Sequence, residues 1–143
     1  MRNVFIILLI FCISLTVISC GNKNNTSKST SDESSIYSDN GTTYTVTVSA
    51  SKYYIDGILT KSLTLKKGYT YYFNATDSTT NNHPLFIGTT PSGGSYTYEY
   101  TSGVTNSRTT NDTLTFVVPS DSPSTLYYNC GNHVSMGGAI TIN

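Results

Sequence analysis

Charge is scarce in this chain. Eight Lys and Arg and eight Asp and Glu are spread over 143 residues with no net charge. No basic cluster is present to attract a phosphate backbone, so nucleic acid is not expected as a partner. Asp112 and Asp121 stand apart from other carboxylates, which removes the acidic cluster that calcium usually needs. Tryptophan is absent, and there are only three cysteines, two methionines and two histidines. No stretch of useful length repeats its apolar residues at the period of a helix. What the chain does have is twelve Tyr, eleven Gly and abundant Thr and Ser, a composition that favours strands and turns because β-branched and aromatic side chains suit a pleated, half-buried surface.

Long hydrophobic runs are also missing, with one exception. Arg2 precedes an apolar run from Val4 to Ile18, shorter than the roughly 20 residues of a membrane-spanning helix. The run reads as an export signal. Its end, Val17-Ile18-Ser19-Cys20, resembles a bacterial lipobox, which implies cleavage before Cys20 and lipid on that cysteine. A plain signal peptide or a short membrane anchor is the alternative. Gly21 after the cysteine goes, by the same resemblance, with outer-membrane sorting. Residues 1–19 are therefore expected to be a signal, and residues 20–41 a lipidated, flexible tether too poor in apolar side chains to offset chain entropy. Residues 42–143 would form one domain, exported and held at a membrane by its lipid.

Within that domain short strand signals alternate with turns. "TTYTVTVSA" (42–50) puts Tyr44, Val46 and Val48 on one face and threonines on the other. "SLTLKKGYTYYFNAT" reads as two strands about Lys67-Gly68, and "HPLFIGTT" as a strand begun after Pro84. "SYTYEYT" alternates Tyr96, Tyr98 and Tyr100, while "DTLTFVVP" and "STLYYNC" flank a turn at 120–123. "GGAITIN" closes the chain, and residues 88–111 look like an irregular excursion. The expected fold is an all-β sandwich. The tyrosines are expected to pack sheets rather than relay radicals or bind sugars.

Once the signal is set aside, the rare residues converge. Cys130 becomes the only thiol without a lipid, Met136 the only methionine, and His83 and His133 the only histidines. Three of these four lie between 130 and 136 in "YYNCGNHVSMGG". One at a time, a buried Cys, a turn His and a core Met are ordinary. Together, one thiolate, two imidazoles and a thioether suit copper, since copper(I) favours soft sulfur and copper(II) accepts imidazole nitrogen. Zinc gains little from Met. Haem attachment and a two-copper centre both require a second nearby cysteine. Cys130 would end a strand, His133 and Met136 would lie on the following loop, and Gly137-Gly138 would let the chain re-enter a strand. His83 would arrive from a separate segment, after a turn at Asn81-Asn82.

These residues resemble the cupredoxin family of type 1 blue copper proteins. "TLYYNCGNHVSMGGAITIN" is similar to the family's last two strands and ligand loop, with the short spacing of its amicyanin-like members, and "NNHPLFIG" to the segment bearing its first histidine. The resemblance implies a Greek-key β-sandwich with one copper alternating between Cu(I) and Cu(II). Cys130 would be the thiolate, His83 and His133 the equatorial imidazoles, and Met136 the axial thioether. His133 would pass electrons through an apolar patch formed with Pro84, Val134 and Met136. Two departures stand out: Pro84 has no N–H to donate to the cysteine sulfur where the family often has Asn, and Asn132 could donate one where the family often has Pro.

The function implied is a membrane-tethered carrier of single electrons, and not an enzyme, because four protein ligands leave no open position for substrate. Its partner would be a cytochrome or a copper oxidoreductase. Copper capture and delivery is one alternative. A structural sandwich with a vestigial site is another.

Overall fold

The computed structural model describes residues 41–143. The expected signal and lipid site at Cys20, and the expected tether up to residue 40, lie outside the described residues. Among the described residues ten strands form two mixed sheets, and the only helical turn is a short 3-10 segment, Ser78–Thr80. No helix of the described residues is long and apolar enough to cross a membrane.

The first sheet contains β1 (Thr42–Ser49), β2 (Lys52–Ile55), β3 (Ile58–Leu59), β5 (Thr70–Asn74), β7 (Val104–Thr105) and β8 (Thr113–Val117), ordered β3-β2-β1-β5-β8-β7. The second holds β4 (Leu63–Leu65), β6 (Leu85–Gly88), β9 (Thr125–Cys130) and β10 (Gly138–Ile142), ordered β4-β10-β9-β6. The chain crosses between sheets after β3, β4, β5, β6 and β8, in the manner of Greek-key connections. The expected all-β sandwich is therefore the observed fold.

Period-two alternation explains which side chains meet between the sheets. Val46, Tyr53, Ile55, Phe73, Leu114 and Phe116 from the first sheet share one buried cluster with Leu63, Leu65, Leu85, Ile87, Leu126, Tyr128, Ile140 and Ile142 from the second. Tyr44 and Val48 pack against it from the same strand as Val46, as the threonine alternation of β1 predicts. Tyr53, Tyr71 and Tyr128 are buried, in keeping with a packing role for these tyrosines.

One expectation needs correction. The alternation at Tyr96, Tyr98 and Tyr100 does not make a strand; the segment turns, with only an isolated bridge from Glu99 to Gly88. Glu99 is fixed instead by Arg108 and by Ser107, whose hydroxyl donates at 2.6 Å, and Arg108 lies over the Tyr96 ring at 4.1 Å. The irregular excursion from 88 to 111 has a definite task, because its backbone bonds run along the outer edge of β6: Tyr100 N–H donates to Ile87 at 2.8 Å and Arg108 N–H to Leu85 at 2.7 Å. That edge is thereby covered.

Strands β2 and β3 were not announced by alternation. They carry a local signal all the same: Asp56 and Gly57 both take positive φ, the requirement of a tight two-residue hairpin, and Ile55 pairs with Ile58 across it.

Candidate metal centre

The site follows from the register of one strand pair. β6 and β9 run antiparallel with Leu85 opposite Cys130, and Gly131 N–H donates to the Pro84 carbonyl at 2.8 Å just beyond. Continuing outward, His83 falls beside the residues that follow Cys130. Cys130 shares the inward face of β9 with Leu126 and Tyr128 and is fully buried. Its sulfur therefore points into one end of the sandwich.

Two imidazoles meet it there. His83 Nδ1 is 3.9 Å and His133 Nδ1 3.5 Å from Cys130 Sγ, and the two rings lie 4.7 Å apart between centroids. One ligand atom from each of the three residues falls within 4.8 Å of the others. An ion bound by nitrogen at about 2.0 Å and sulfur at about 2.3 Å requires these donors to lie roughly 3.5 Å apart at a tetrahedral angle and roughly 3.7 Å apart at a trigonal one. The observed spacings bracket that range, so His83, Cys130 and His133 lie close enough together to form a metal site.

Both histidines are partly exposed, whereas Met136 is fully buried at the end of the same loop. Met136 therefore adds nothing to an exposed patch around His133. Val134, 71% exposed, is the apolar side chain that stands out beside it. The loop reverses at Ser135, whose φ of 53° is left-handed, and the Lys52 ammonium donates to the Ser135 carbonyl.

The surrounding backbone is bound from several sides. Asn132 does so through its side-chain amide, which donates to the Asn82 carbonyl at 2.8 Å and ties the two histidine-bearing segments together. Asn82 takes a φ of 65°, in accord with the turn expected before His83. Gly94 N–H donates to the Cys130 carbonyl at 2.9 Å, and a Cβ on neighbouring Gly93 would sit 2.3 Å from the His133 carbonyl oxygen. Tyr96 closes over Gly131, where a Cβ would lie 2.1 Å from the phenol oxygen. Tyr53, on β2 of the other sheet, donates its hydroxyl to the His83 carbonyl at 2.6 Å. Burial first, and then the nearby Cys130 thiol, push the Tyr53 phenol far above its ordinary value, so it stays a neutral donor. No local pattern marks Tyr53, Gly93 or Tyr96 as part of the site, because each acts across the fold.

Burial, followed by the charge of His133, holds His83 below the ordinary imidazole value of 6.5. The folded state thus favours neutral His83, and the unfolded chain takes up the proton first as pH falls. The stabilising contribution is present above 6.5 and is lost as pH falls below that value toward the folded pKa. Urea midpoints of the metal-free protein should accordingly fall as the pH drops below 6.5. His83→Gln should flatten the decline; an identical pH profile in that variant would rule out His83 as its source.

No family model matches the chain, and no curated protein matches it. Solved structures do. The chain is similar to reduced rusticyanin at 15% identity, covering 75% of this chain and 82% of that one with a TM-score of 0.47. A second rusticyanin structure, described as that of a copper protein, is similar at 14% identity over 74% of this chain and 80% of that one, TM-score 0.47. A multicopper oxidase variant, McoA 2F4 from Aquifex aeolicus, is similar at 17% identity over 75% of this chain and 27% of its own, TM-score 0.39.

Proposed function

We propose that this chain is a cupredoxin: a type 1 copper protein that carries single electrons outside the cytoplasm, tethered to a membrane by lipid on Cys20. The observation that carries the reading is the convergence of His83 Nδ1, Cys130 Sγ and His133 Nδ1 at one end of the sandwich. Two imidazoles and one thiolate form a donor set that serves both copper(I) and copper(II). Copper bound there would supply one-electron chemistry.

The chain's own residues have distinct tasks in this reading. Cys130 supplies a thiolate shielded from water and oxidants by its burial. His83 and His133 offer neutral imidazole nitrogens from separate segments. Met136, buried in the same loop, would offer its thioether as a fourth, weaker donor. His133, beside exposed Val134, faces a redox partner such as a cytochrome or a copper oxidoreductase. With four protein ligands the site keeps no open position for a substrate, which favours a carrier over an enzyme. Complete burial of both sulfur side chains favours retention of the ion over hand-over to an acceptor.

Adding copper(II) to the purified protein tests the reading. One equivalent should produce an intense visible band, together with the electron paramagnetic resonance signal of copper bound to thiolate, and both should survive repeated reduction and reoxidation. A colourless protein would refute it, and loss of copper on cycling would favour delivery. Met136→Leu should keep the colour and raise the reduction potential, because copper(I) is content with three ligands whereas copper(II) is stabilised by a fourth, so replacing a weak donor by an apolar group disfavours copper(II) more. The expected rise is on the order of tens of millivolts, ~59 mV being a tenfold change in relative affinity for a one-electron couple. An unchanged potential would remove Met136 from the axial position.

A further inference from the structure

Tyr53 lies on β2, in the sheet that contributes none of the candidate ligands, and is fully buried. It makes two bonds to the opposite side of the sandwich. Its hydroxyl donates to the His83 carbonyl at 2.6 Å, and its backbone N–H donates to the Met136 carbonyl at 3.2 Å. His83 and Met136 are the first and last of the four candidate ligands in the chain. We propose that Tyr53 is a positioning residue of the metal centre, holding the His83 segment and the end of the Cys130–Met136 loop at a set separation from across the core.

The bonds around His83 show why this residue matters more than its neighbours. The carbonyls of Asn82, His83 and Pro84 each accept a different donor: Asn132 Nδ2 at 2.8 Å, Tyr53 Oη at 2.6 Å and Gly131 N at 2.8 Å. Asn132 and Gly131 belong to the ligand loop and its strand, so they fix His83 only within its own sheet. Tyr53 alone of the three reaches it from the other sheet, and so opposes movement of His83 relative to the core. Lys52, one residue earlier, bonds the Ser135 carbonyl, so consecutive residues of β2 hold consecutive residues of the loop. The Tyr53 ring is itself confined, 6.3 Å from the ring of Tyr128.

A buried phenol normally finds an acceptor, whatever its role. Tyr128 supplies the control for that plainer explanation. It is equally buried, its hydroxyl donates to the Lys61 carbonyl at 2.9 Å, and that carbonyl belongs to no ligand segment. Tyr53→Phe and Tyr128→Phe each remove one buried hydroxyl, but only the first touches the metal centre.

The proposal rests on the copper reading for its metal and is tested separately from it. In the metal-free protein, Tyr53→Phe should shift and broaden the imidazole NMR signals of His83, while Tyr128→Phe leaves them as in the parent. In the copper-loaded protein, Tyr53→Phe should weaken copper binding roughly 10- to 100-fold, the usual effect of losing an outer partner of a ligand, and alter the copper hyperfine splitting. Tyr128→Phe should lower the melting temperature without either change. Indistinguishable His83 signals and copper affinities in the two variants would overturn the positioning role. A protein that takes up no copper, yet shows the selective His83 response, would refute the copper reading and uphold the positioning role.

Discussion

Cys130→Ser should abolish the intense visible band of the copper-loaded protein altogether. The band requires charge transfer from a thiolate, and serine offers a hard hydroxyl that stays protonated at neutral pH. Copper affinity should fall by more than the roughly 10- to 100-fold typical of changes outside the ligand sphere. The metal-free variant should also lose stability, because Cys130 is fully buried among Leu126, Tyr128 and Met136. A buried hydroxyl with imperfect partners costs about 1–3 kcal/mol; the His133 Nδ1 at 3.5 Å from the sulfur is the partner at hand. Visible spectra of the loaded protein and urea titration of the metal-free one separate the two effects. A variant that keeps its colour would exclude Cys130 as the ligand.

Gly137→Ala should be the most damaging small substitution in the ligand loop. A Cβ there would lie 1.7 Å from the Tyr128 carbonyl oxygen and 2.7 Å from its carbon, and both obstacles are backbone of the neighbouring strand. Neither Gly137 nor Gly138 is among the described glycines with positive φ, so what they provide is room rather than a special turn. Relief requires β10 to separate from β9 where the two strands pair Gly138 with Tyr128. The cost should be about 3 kcal/mol or more, at the upper end for overpacking. Gly68→Ala provides the contrast. Its φ is 79° and nothing lies within 4 Å of an added Cβ, so only the backbone penalty of roughly 1–2 kcal/mol applies. Denaturant midpoints of the two variants measure the difference, and equal losses would show that the close approach at Gly137 relaxes freely.

Much of the fold was legible because alternation is a local property. Tyr44, Val46 and Val48 in β1, or Leu126, Tyr128 and Cys130 in β9, select the inward face without reference to any other segment. The alternating tyrosines at 96, 98 and 100 misled for the same reason: the pattern was right for a strand, but Glu99, held by Arg108 and Ser107, and Tyr96, lying against Gly131, draw the segment into a turn. The hairpin of β2 and β3 is marked only by Asp56-Gly57, since Tyr53, Tyr54 and Ile55 follow one another in β2 without an apolar/polar alternation.

At the site the division is sharper. Composition and spacing alone singled out Cys130, His133, Met136 and His83, because a chain so poor in soft donors has few places to put a metal. Sequence proximity also put three of them at one strand end and the loop that follows it. Bringing His83 to that loop is a long-range event decided by the pairing of Leu85 with Cys130, and a slip of one residue would turn the sulfur to the opposite face. The tertiary structure alone likewise determines that Asn132 bonds Asn82 through its side chain, that Met136 is buried rather than part of a surface patch, and that Tyr53 reaches His83 from the far sheet. Donor chemistry belongs to each side chain and can be read along the chain, whereas the distances between donors depend on strand register and sheet packing, which arise only when distant segments meet.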